Sequence, residues 1–109
     1  MNEQRKLSRQ KIILTPSDSS LEGKINSETE HCHILLDSSV AGFTVTLPSV
    51  TGTMQRELIF KNIGANSVKI QAMQGQYIDE STSHVLAHLD LVDLWPDDVK
   101  TWWMLDNNH

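Results

Sequence analysis

The stretch that decides the fold is Leu58-Ile-Phe-Lys-Asn-Ile-Gly-Ala-Asn-Ser-Val-Lys-Ile-Gln-Ala72. Apolar residues occupy every second position in its first and last parts, and this period of two is typical of β-strands with one buried face. Between the two parts, Asn62-Ile-Gly-Ala-Asn66 contains residue types that tolerate a positive φ in a tight connection. The stretch therefore predicts a β-hairpin whose buried face consists of Leu58, Phe60, Val68, Ile70 and Ala72.

The same alternation continues on the N-terminal side of this stretch. Residues 31–36 place Cys32, Ile34 and Leu36 on one face. Residues 43–47 form another predicted strand, which ends at Pro48 because proline has no amide donor. Residues 21–30 show weak patterning and are expected to be mostly loop.

Residues 84–95 fit two structures. As a strand, the chain directs Val85, Ala87, Leu89 and Leu91 inward. As a helix, it places Val85, Leu86, Leu89 and Val92 in one stripe. A strand is favoured, because no helix cap stands in the right register and the neighbouring segments are strands.

Length and composition favour a single all-β domain. The 109 residues suffice for one domain, and Ile, Val and Thr together account for 23 of them. Cys32 is the single cysteine, so no internal disulfide forms, and no apolar run approaches the ~20 residues of a membrane helix. With turn residues between short strands, the sequence predicts a single antiparallel β-sandwich or jelly-roll-like domain with an extended N-terminal arm.

Charge divides the chain into two parts. Residues 1–11 have a net charge of +3, and the total of −5 therefore leaves −8 for the remainder. The turn-rich segment 15–20 follows, so residues 1–20 are predicted to be a basic arm and linker, and residues 21–109 the β-sandwich domain. Because an acidic body repels phosphates and the basic start has no apolar signal core behind it, neither nucleic acid nor a membrane is an expected partner.

Two interpretations of the arm stay open. It is either a solvated terminus, or a segment that orders by docking on an acidic partner or a neighbouring subunit. Residues 11–15 could add one short strand. In the docking interpretation, the contact is made by Arg5, Lys6, Arg9, Lys11, Ile12, Ile13 and Leu14.

The order of segments from residue 43 to residue 105 resembles a module of bacteriophage virion proteins, of the tail-fibre, baseplate and capsid-decoration type. In that module a Val-Thr-Leu-Pro strand end precedes a Gly loop, a strand running into Lys-Asn-Ile-Gly, a Val-x-Ile strand, an Ile-Asp turn, a long alternating strand and a Trp strand. The corresponding pieces here are Val45-Thr-Leu-Pro48, Gly52, Leu58 to Gly64, Val68-Lys-Ile70, Tyr77-Ile-Asp79, Val85 to Leu94 and Trp102-Trp-Met-Leu105. The resemblance covers about 60 of the 109 residues.

The resemblance implies a non-enzymatic and often trimeric structural block. It places the protein in a virion, assembled in the host cytoplasm, with itself and other virion proteins such as capsid or tail subunits as partners. Two turns depart from the module: Glu80 stands where Gly is usual, and Pro96-Asp-Asp-Val-Lys100 replaces an Asp-Gly loop. Both turns are therefore expected to differ in shape.

Histidine and cysteine spacing raises the question of a metal site. On a strand, His31 and His33 share one face about 7 Å apart while Cys32 points away. Two ligands make an incomplete site, so two exposed strand histidines are the favoured interpretation. The alternative is a homotrimer that brings three copies of one histidine together on its axis. His84 and His88 stand about 13 Å apart on a strand and cannot share an ion. No metal and no cofactor is predicted.

No pattern in the chain predicts an enzyme. The neighbouring acids Asp79-Glu80 and Asp97-Asp98 lie in predicted turns, whereas glycosidase carboxylates converge from different elements. The chain contains no Gly-x-Ser-x-Gly motif and no Gly-rich phosphate loop, and adjacent residues 32 and 33 point apart on a strand.

The last predicted strand, residues 101–105, places Trp102 and Trp103 on opposite faces. The resemblance puts Trp102 in the core, which leaves Trp103 exposed against a subunit neighbour or a ligand. The sequence therefore predicts a trimeric virion protein that docks through its arm. Its role is that of a capsid decoration or cement subunit, or of a small accessory subunit of the head or tail. The alternative is a glycan-binding receptor-recognition module of a tail fibre or baseplate, with Trp103 as the platform.

Overall fold

The computed structural model describes residues 9–51 and 56–108, and these residues form strands, turns and loops without a helix. The predicted all-β class is confirmed. No helix that could cross a membrane occurs in this part of the chain. Within it there are nine strands: β1 (Arg9–Leu14), β2 (His31–Leu36), β3 (Phe43–Thr46), β4 (Glu57–Asn62), β5 (Val68–Gln71), β6 (Tyr77–Ile78), β7 (Ser83–Leu86), β8 (Leu91–Pro96) and β9 (Thr101–Asn108).

The strands form two mixed sheets. The larger has the order β1-β2-β4-β8-β9-β6, and the smaller has the order β3-β5-β7. Strands β1, β2 and β4 are parallel neighbours, as are β3 and β5, and β6 and β9. Antiparallel pairing joins β4 to β8, β8 to β9 and β5 to β7. The expectation of an antiparallel domain is therefore wrong for these sheets.

Parallel pairing follows from the length of the connections. Arg9 pairs with His31, and His31 with Glu57, so that equivalent positions recur every 22 to 26 residues. The connection from β2 to β4 passes through β3 in the other sheet, which lets the chain return in the same direction. This stacked arrangement of β1, β2 and β4 resembles a β-solenoid.

The core lies between the two sheets and contains the inward-facing residues that alternation predicted. Cys32, Ile34 and Leu36 are buried in β2, and Val45 is buried in β3. The expected inward faces of β4 and β5 are confirmed as well, with Leu58, Phe60, Val68, Ile70 and Ala72 all buried. Each aliphatic or aromatic side chain buried in this way contributes roughly 1.5–3 kcal/mol through removal of apolar surface from water.

The predicted hairpin from residue 58 to residue 72 is wrong. Strands β4 and β5 belong to different sheets, so residues 62–67 form a corner that takes the chain from one sheet to the other. The residue types that tolerate a tight hairpin turn also suit a tight corner.

The Asn62 side chain is fully buried at this corner and all its hydrogen-bonding capacity is used. Its Nδ2 donates to the backbone carbonyls of Asn66 at 2.8 Å and of Leu86 at 2.9 Å. Its Oδ1 accepts from Ser38 Oγ at 2.8 Å and from the Gly64 N–H at 3.1 Å. One amide thus connects the corner to the segment after β2 and to the end of β7.

Gly64 allows the corner to approach Ser38 closely. A Cβ built on Gly64 would lie 2.4 Å from the backbone N and C of Ser38, which excludes any side chain unless the backbone shifts. The Asn66 Nδ2 also donates to the Ser38 carbonyl at 2.7 Å. Together these contacts hold the two connections against each other.

The predicted continuous strand from residue 85 to residue 94 is wrong in two respects. A turn at residues 87–90 separates β7 from β8, with Leu89 at a φ of 68° and the Asp90 Oδ2 accepting from the Ala87 N–H at 2.9 Å. The faces are also reversed in β7, since Leu86 is buried and Val85 is 55% exposed. Alternation alone does not reveal a turn whose positive φ falls on a leucine.

The end of the predicted arm belongs to the main sheet. Residues 9–14 form β1 beside β2, and the short strand suggested for this region is present. Residues 15–30 then contain no strand, as expected for the linker and the loop that follows it.

Replacing Asn62 by Asp tests the corner. Asn62→Asp keeps the size of the side chain, but it removes both N–H donors and places a carboxylate against two carbonyls. We expect the free energy of unfolding to fall by about 3 kcal/mol or more. Chemical denaturation followed by tryptophan fluorescence measures this change.

Asn26→Asp is the matched control, because the Asn26 Oδ1 accepts from the Glu28 N–H at 2.9 Å and an aspartate oxygen retains that bond. A similar loss of stability in both variants would contradict the assigned role of Asn62.

Candidate docking edge and Trp103 cleft

The candidate docking edge is β1, which pairs only with β2 among the described residues and forms one border of the larger sheet. Arg9, Lys11 and Ile13 are exposed on its outer side. Ile12 and Leu14 face inward and are buried in the core of the chain itself. Of the predicted docking residues, three are therefore available on the surface of β1, and Arg5 and Lys6 lie outside the described residues.

An open groove of about 370 Å³ runs along the outer side of β1 and β2. Its walls include the side chains of Arg9, Lys11 and His33, with Leu35 as an apolar neighbour. Arginine and lysine are permanently charged at neutral pH. The groove therefore offers two cationic side chains to an anionic group.

The Gln10 side chain holds β1 in place. Its Nε2 donates to the Lys24 carbonyl at 2.6 Å, and its Oε1 accepts from the Asn26 N–H at 2.9 Å and from Thr29 Oγ1 at 3.0 Å. These bonds join the strand to the loop that precedes β2. Gln10 thus links β1 to residues 24–29 by three hydrogen bonds.

His31 contacts a carboxylate next to the groove. Its Nδ1 lies 2.7 Å from Oε1 of Glu57, and its ring meets the ring of Trp95 edge-on at a centroid distance of 6.2 Å. Burial raises the pKa of Glu57, but hydrogen bonds with Asp93 and His31 outweigh burial and lower the pKa overall. Glu57 is thus an ionised partner for His31.

The histidines do not assemble a metal site. His31 and His33 share the outer face of β2 as predicted, and Cys32 is buried on the opposite face, where burial raises the pKa of its thiol. His88 Nδ1 lies 2.7 Å from the Gly64 carbonyl, whereas His84 is in β7. Within residues 9–51 and 56–108 no group of three or more His, Cys, Asp or Glu residues could hold a metal ion.

The two tryptophans of β9 differ as predicted. Trp102 is 2% exposed and its Nε1 donates to the Pro48 carbonyl at 3.3 Å, whereas Trp103 is 43% exposed. Trp103 lies in a cleft of about 270 Å³, which we call the Trp103 cleft. The other residues that line it are Tyr77, Asp79, Glu80, Asp97, Lys100 and Thr101.

Asp97 organises one wall of the Trp103 cleft. Its Oδ1 accepts from the backbone N–H groups of Thr101 at 3.0 Å, Val99 at 2.8 Å and Lys100 at 2.9 Å. Its Oδ2 accepts from Trp103 Nε1 at 3.2 Å. The backbone hydrogen bonds from Thr101 and Val99 are the main reason why the pKa of Asp97 is lowered to about 2.

The Trp103 cleft also contains an aromatic ring and a second constrained acid. Lys100 Nζ lies 5.7 Å from the centroid of the Tyr77 ring, within the range of a cation–π contact. Asp79 has a φ of 53°, and its Oδ1 accepts from the Met104 N–H at 2.8 Å. Two of the predicted turn acids therefore support the turns around the cleft.

Sequence reasoning singled out Trp103 but missed Tyr77 and Lys100 as its neighbours. The parallel pairing of β6 with β9 brings Tyr77 opposite Thr101, and this long-range register has no local sequence signal. The role of Asp97, by contrast, had a local sequence signal, because an aspartate at the start of a turn often accepts hydrogen bonds from the backbone that follows it.

Comparison of the chain with protein-family models, with curated proteins and with solved structures finds no significant match.

The pH dependence of stability tests the role of Asp97. Its folded-state pKa of about 2 is below the ordinary value of 3.8, so the stabilisation by the carboxylate is fully present above pH 3.8 and is lost as the pH falls through about 2. We expect the difference in Tm between the unmodified protein and Asp97→Asn to shrink as the pH falls over this range.

Circular dichroism melting curves give this difference, and Asp98→Asn is the control because Asp98 is exposed and asparagine tolerates its φ of 62°. A Tm difference for Asp97→Asn that stays constant with pH would be incompatible with this role.

Proposed function

We propose that the protein is a non-enzymatic structural subunit of a bacteriophage virion, in the role of a capsid decoration, cement or small head or tail accessory subunit. It works as a homotrimer and docks on another virion protein through its N-terminal arm. The observation that carries the proposal is β1, a six-residue edge strand at the end of a parallel stack. The virion setting is supported by the sequence resemblance, and the docking mode by the position and charge of this edge.

An exposed edge strand is a ready template for strand addition. Its unpaired backbone groups can pair with an extended segment of another chain, which is a common way for proteins to assemble. Exposed Arg9 and Lys11 project from the same strand and line the open groove. Backbone pairing and charge thus support docking at one place.

The proposed trimer is supported by the small size of the core and by exposed apolar residues. A body of this size buries a limited core, so association is a plausible source of added stability. Trp103 and Leu105 are exposed on one face of β9, and half-buried Trp95 pairs with Trp103 in the neighbouring strand β8. We assign the contact between subunits to this apolar strip, which consists of Trp95, Trp103 and Leu105.

The mass of the protein in solution tests the trimer. Multi-angle light scattering should give about three times the 12.3 kDa of one chain. Leu105→Glu places a charge in the apolar strip and should shift the mass to that of the monomer, because an unpaired charge is costly to bury.

Val40→Glu is the control, since Val40 is exposed on a loop outside the strip and the variant adds the same charge. A monomeric unmodified protein would refute the trimer. Labelling of purified virions with an antibody against the protein tests the virion setting separately, and particles without label would refute that setting.

A second candidate function, glycan binding by an adhesion module, is favoured by the Trp103 cleft. Carboxylates accept hydrogen bonds from sugar hydroxyls, and exposed aromatic rings pack against the apolar faces of sugar rings. The cleft offers both: Trp103 and Tyr77 as rings, and Glu80 as an exposed acid. Its volume of about 270 Å³ is close to the lower end of the range for small-molecule sites.

A glycan array probed with Trp103→Ala tests this second function. If a glycan binds at the cleft, the substitution should weaken binding about fivefold or more, because a stacked ring contributes roughly 1 kcal/mol or more of affinity. Trp103→Phe is the matched control and should retain most of the binding. A blank array for the unmodified protein, or equal binding by all three proteins, would exclude a sugar site at Trp103.

A further inference from the structure

The free backbone groups of β1 can be assigned from one hydrogen bond. The Asp37 N–H donates to the Leu14 carbonyl at 2.8 Å, so the Leu14 carbonyl faces the side on which β2 lies. Successive residues of a strand direct their backbone groups to opposite sides. The N–H and C=O groups of Lys11 and Ile13 are therefore directed away from β2, along the edge that no other strand of residues 9–51 and 56–108 covers.

The inner side of the stack shows what an added strand would cover. Ile12 lies beside Ile34, and Ile34 beside Phe60, so the three side chains form one row across β1, β2 and β4. Ile34 and Phe60 have no exposed surface, whereas Ile12 at the end of the row is 7% exposed. An aliphatic side chain opposite Ile12 would complete the burial of this row.

The outer side carries charges in the same register. Arg9 lies beside His31, and His31 beside Glu57, with which it is paired. Lys11 lies beside His33 in the next outer row, and both Arg9 and Lys11 border the open groove. Opposite charges directly across a pair of strands are stabilising and like charges are destabilising.

We propose that β1 accepts a parallel strand from a different protein, one with acidic side chains opposite Arg9 and Lys11 and an aliphatic side chain opposite Ile12. This inference rests on the proposed function, for which it specifies the chemistry of the partner. None of the nine strands in the described part of this chain has acidic residues two positions apart. A strand of a second copy is thus a poor match for the edge, and the proposed occupant is another protein.

The parallel orientation continues the register that is already present. Strands β1, β2 and β4 place equivalent residues side by side without a shift. A parallel strand therefore aligns its inner residues with the row of Ile12 and its outer residues with Arg9 and Lys11.

A synthetic peptide supplies a defined probe. The peptide Glu-Thr-Glu-Val-Ile-Leu places acids opposite Arg9 and Lys11 and valine opposite Ile12, and Lys-Thr-Lys-Val-Ile-Leu is its charge-reversed control. Titration of the ¹⁵N-labelled full chain at up to millimolar peptide should shift the amides of Lys11 and Ile13 and slow their hydrogen exchange. A nitroxide on the N-terminus of the peptide should broaden the amide of Arg9 more than that of Leu14.

Two variants separate charge from backbone pairing. Arg9→Glu combined with Lys11→Glu should weaken binding of the acidic peptide about tenfold and favour the basic peptide, because both cross-strand pairs change sign. Ile13→Pro removes one edge N–H without touching the bonds to β2 and should also weaken binding, whereas Ile13→Ala keeps the N–H and should bind nearly as well as the unmodified protein.

The outcomes distinguish this inference from the proposed function. Absence of shifts at Lys11 and Ile13, or equal binding of both peptides, overturns the inference even if labelled virions carry the protein. Broadening at Leu14 instead of Arg9 overturns the parallel orientation and with it the proposal. Edge-specific binding of the acidic peptide together with unlabelled virions supports the inference and removes the virion setting.

Discussion

The Asn62 amide is the interaction on which the arrangement of the two sheets depends. It lies at the end of β4, and its partners come from the segment after β2, from the corner itself and from the end of β7. A buried amide is unfavourable unless its donors and acceptors are paired, so these partners must stay in register with one another. Gly64 makes this geometry accessible because any Cβ there would overlap the backbone of Ser38. The corner therefore determines where the second sheet begins relative to the first.

Alternation predicted which residues face inward but not which strands pair. Cys32, Ile34 and Leu36 could be assigned to the core because a period of two is a local property of the chain. The Asn-Ile-Gly segment could not be recognised as a corner, since its decisive partners, Ser38 and Leu86, are each 24 residues away. A hairpin and a corner require the same turn residues, and only long-range contacts distinguish them.

The candidate sites also differ in how well they could be predicted, because some of their features are local in the sequence and others depend on long-range pairing. The exposure of Trp103 follows from its adjacency to a buried tryptophan, whereas its neighbour Tyr77 is brought there by pairing between strands that are distant in the sequence. In the arm, composition could not show whether the apolar residues contact a partner or pack in the core of their own chain. Ile12 and Leu14 pack in the core of their own chain, so only Arg9, Lys11 and Ile13 of β1 remain exposed for the proposed partner.

The two borders of the larger sheet are unequal, and this inequality bears on how the protein assembles. One border is β1 with six residues, and the other is β6 with two. Short edge strands resist strand addition, whereas long ones invite it. Head-to-tail addition of copies requires two matching edges, and an unmatched pair of edges blocks continued growth into a filament. Of the two borders of the larger sheet, the long one is β1, and its basic outer face fits the proposed single docking event with a different, acidic protein.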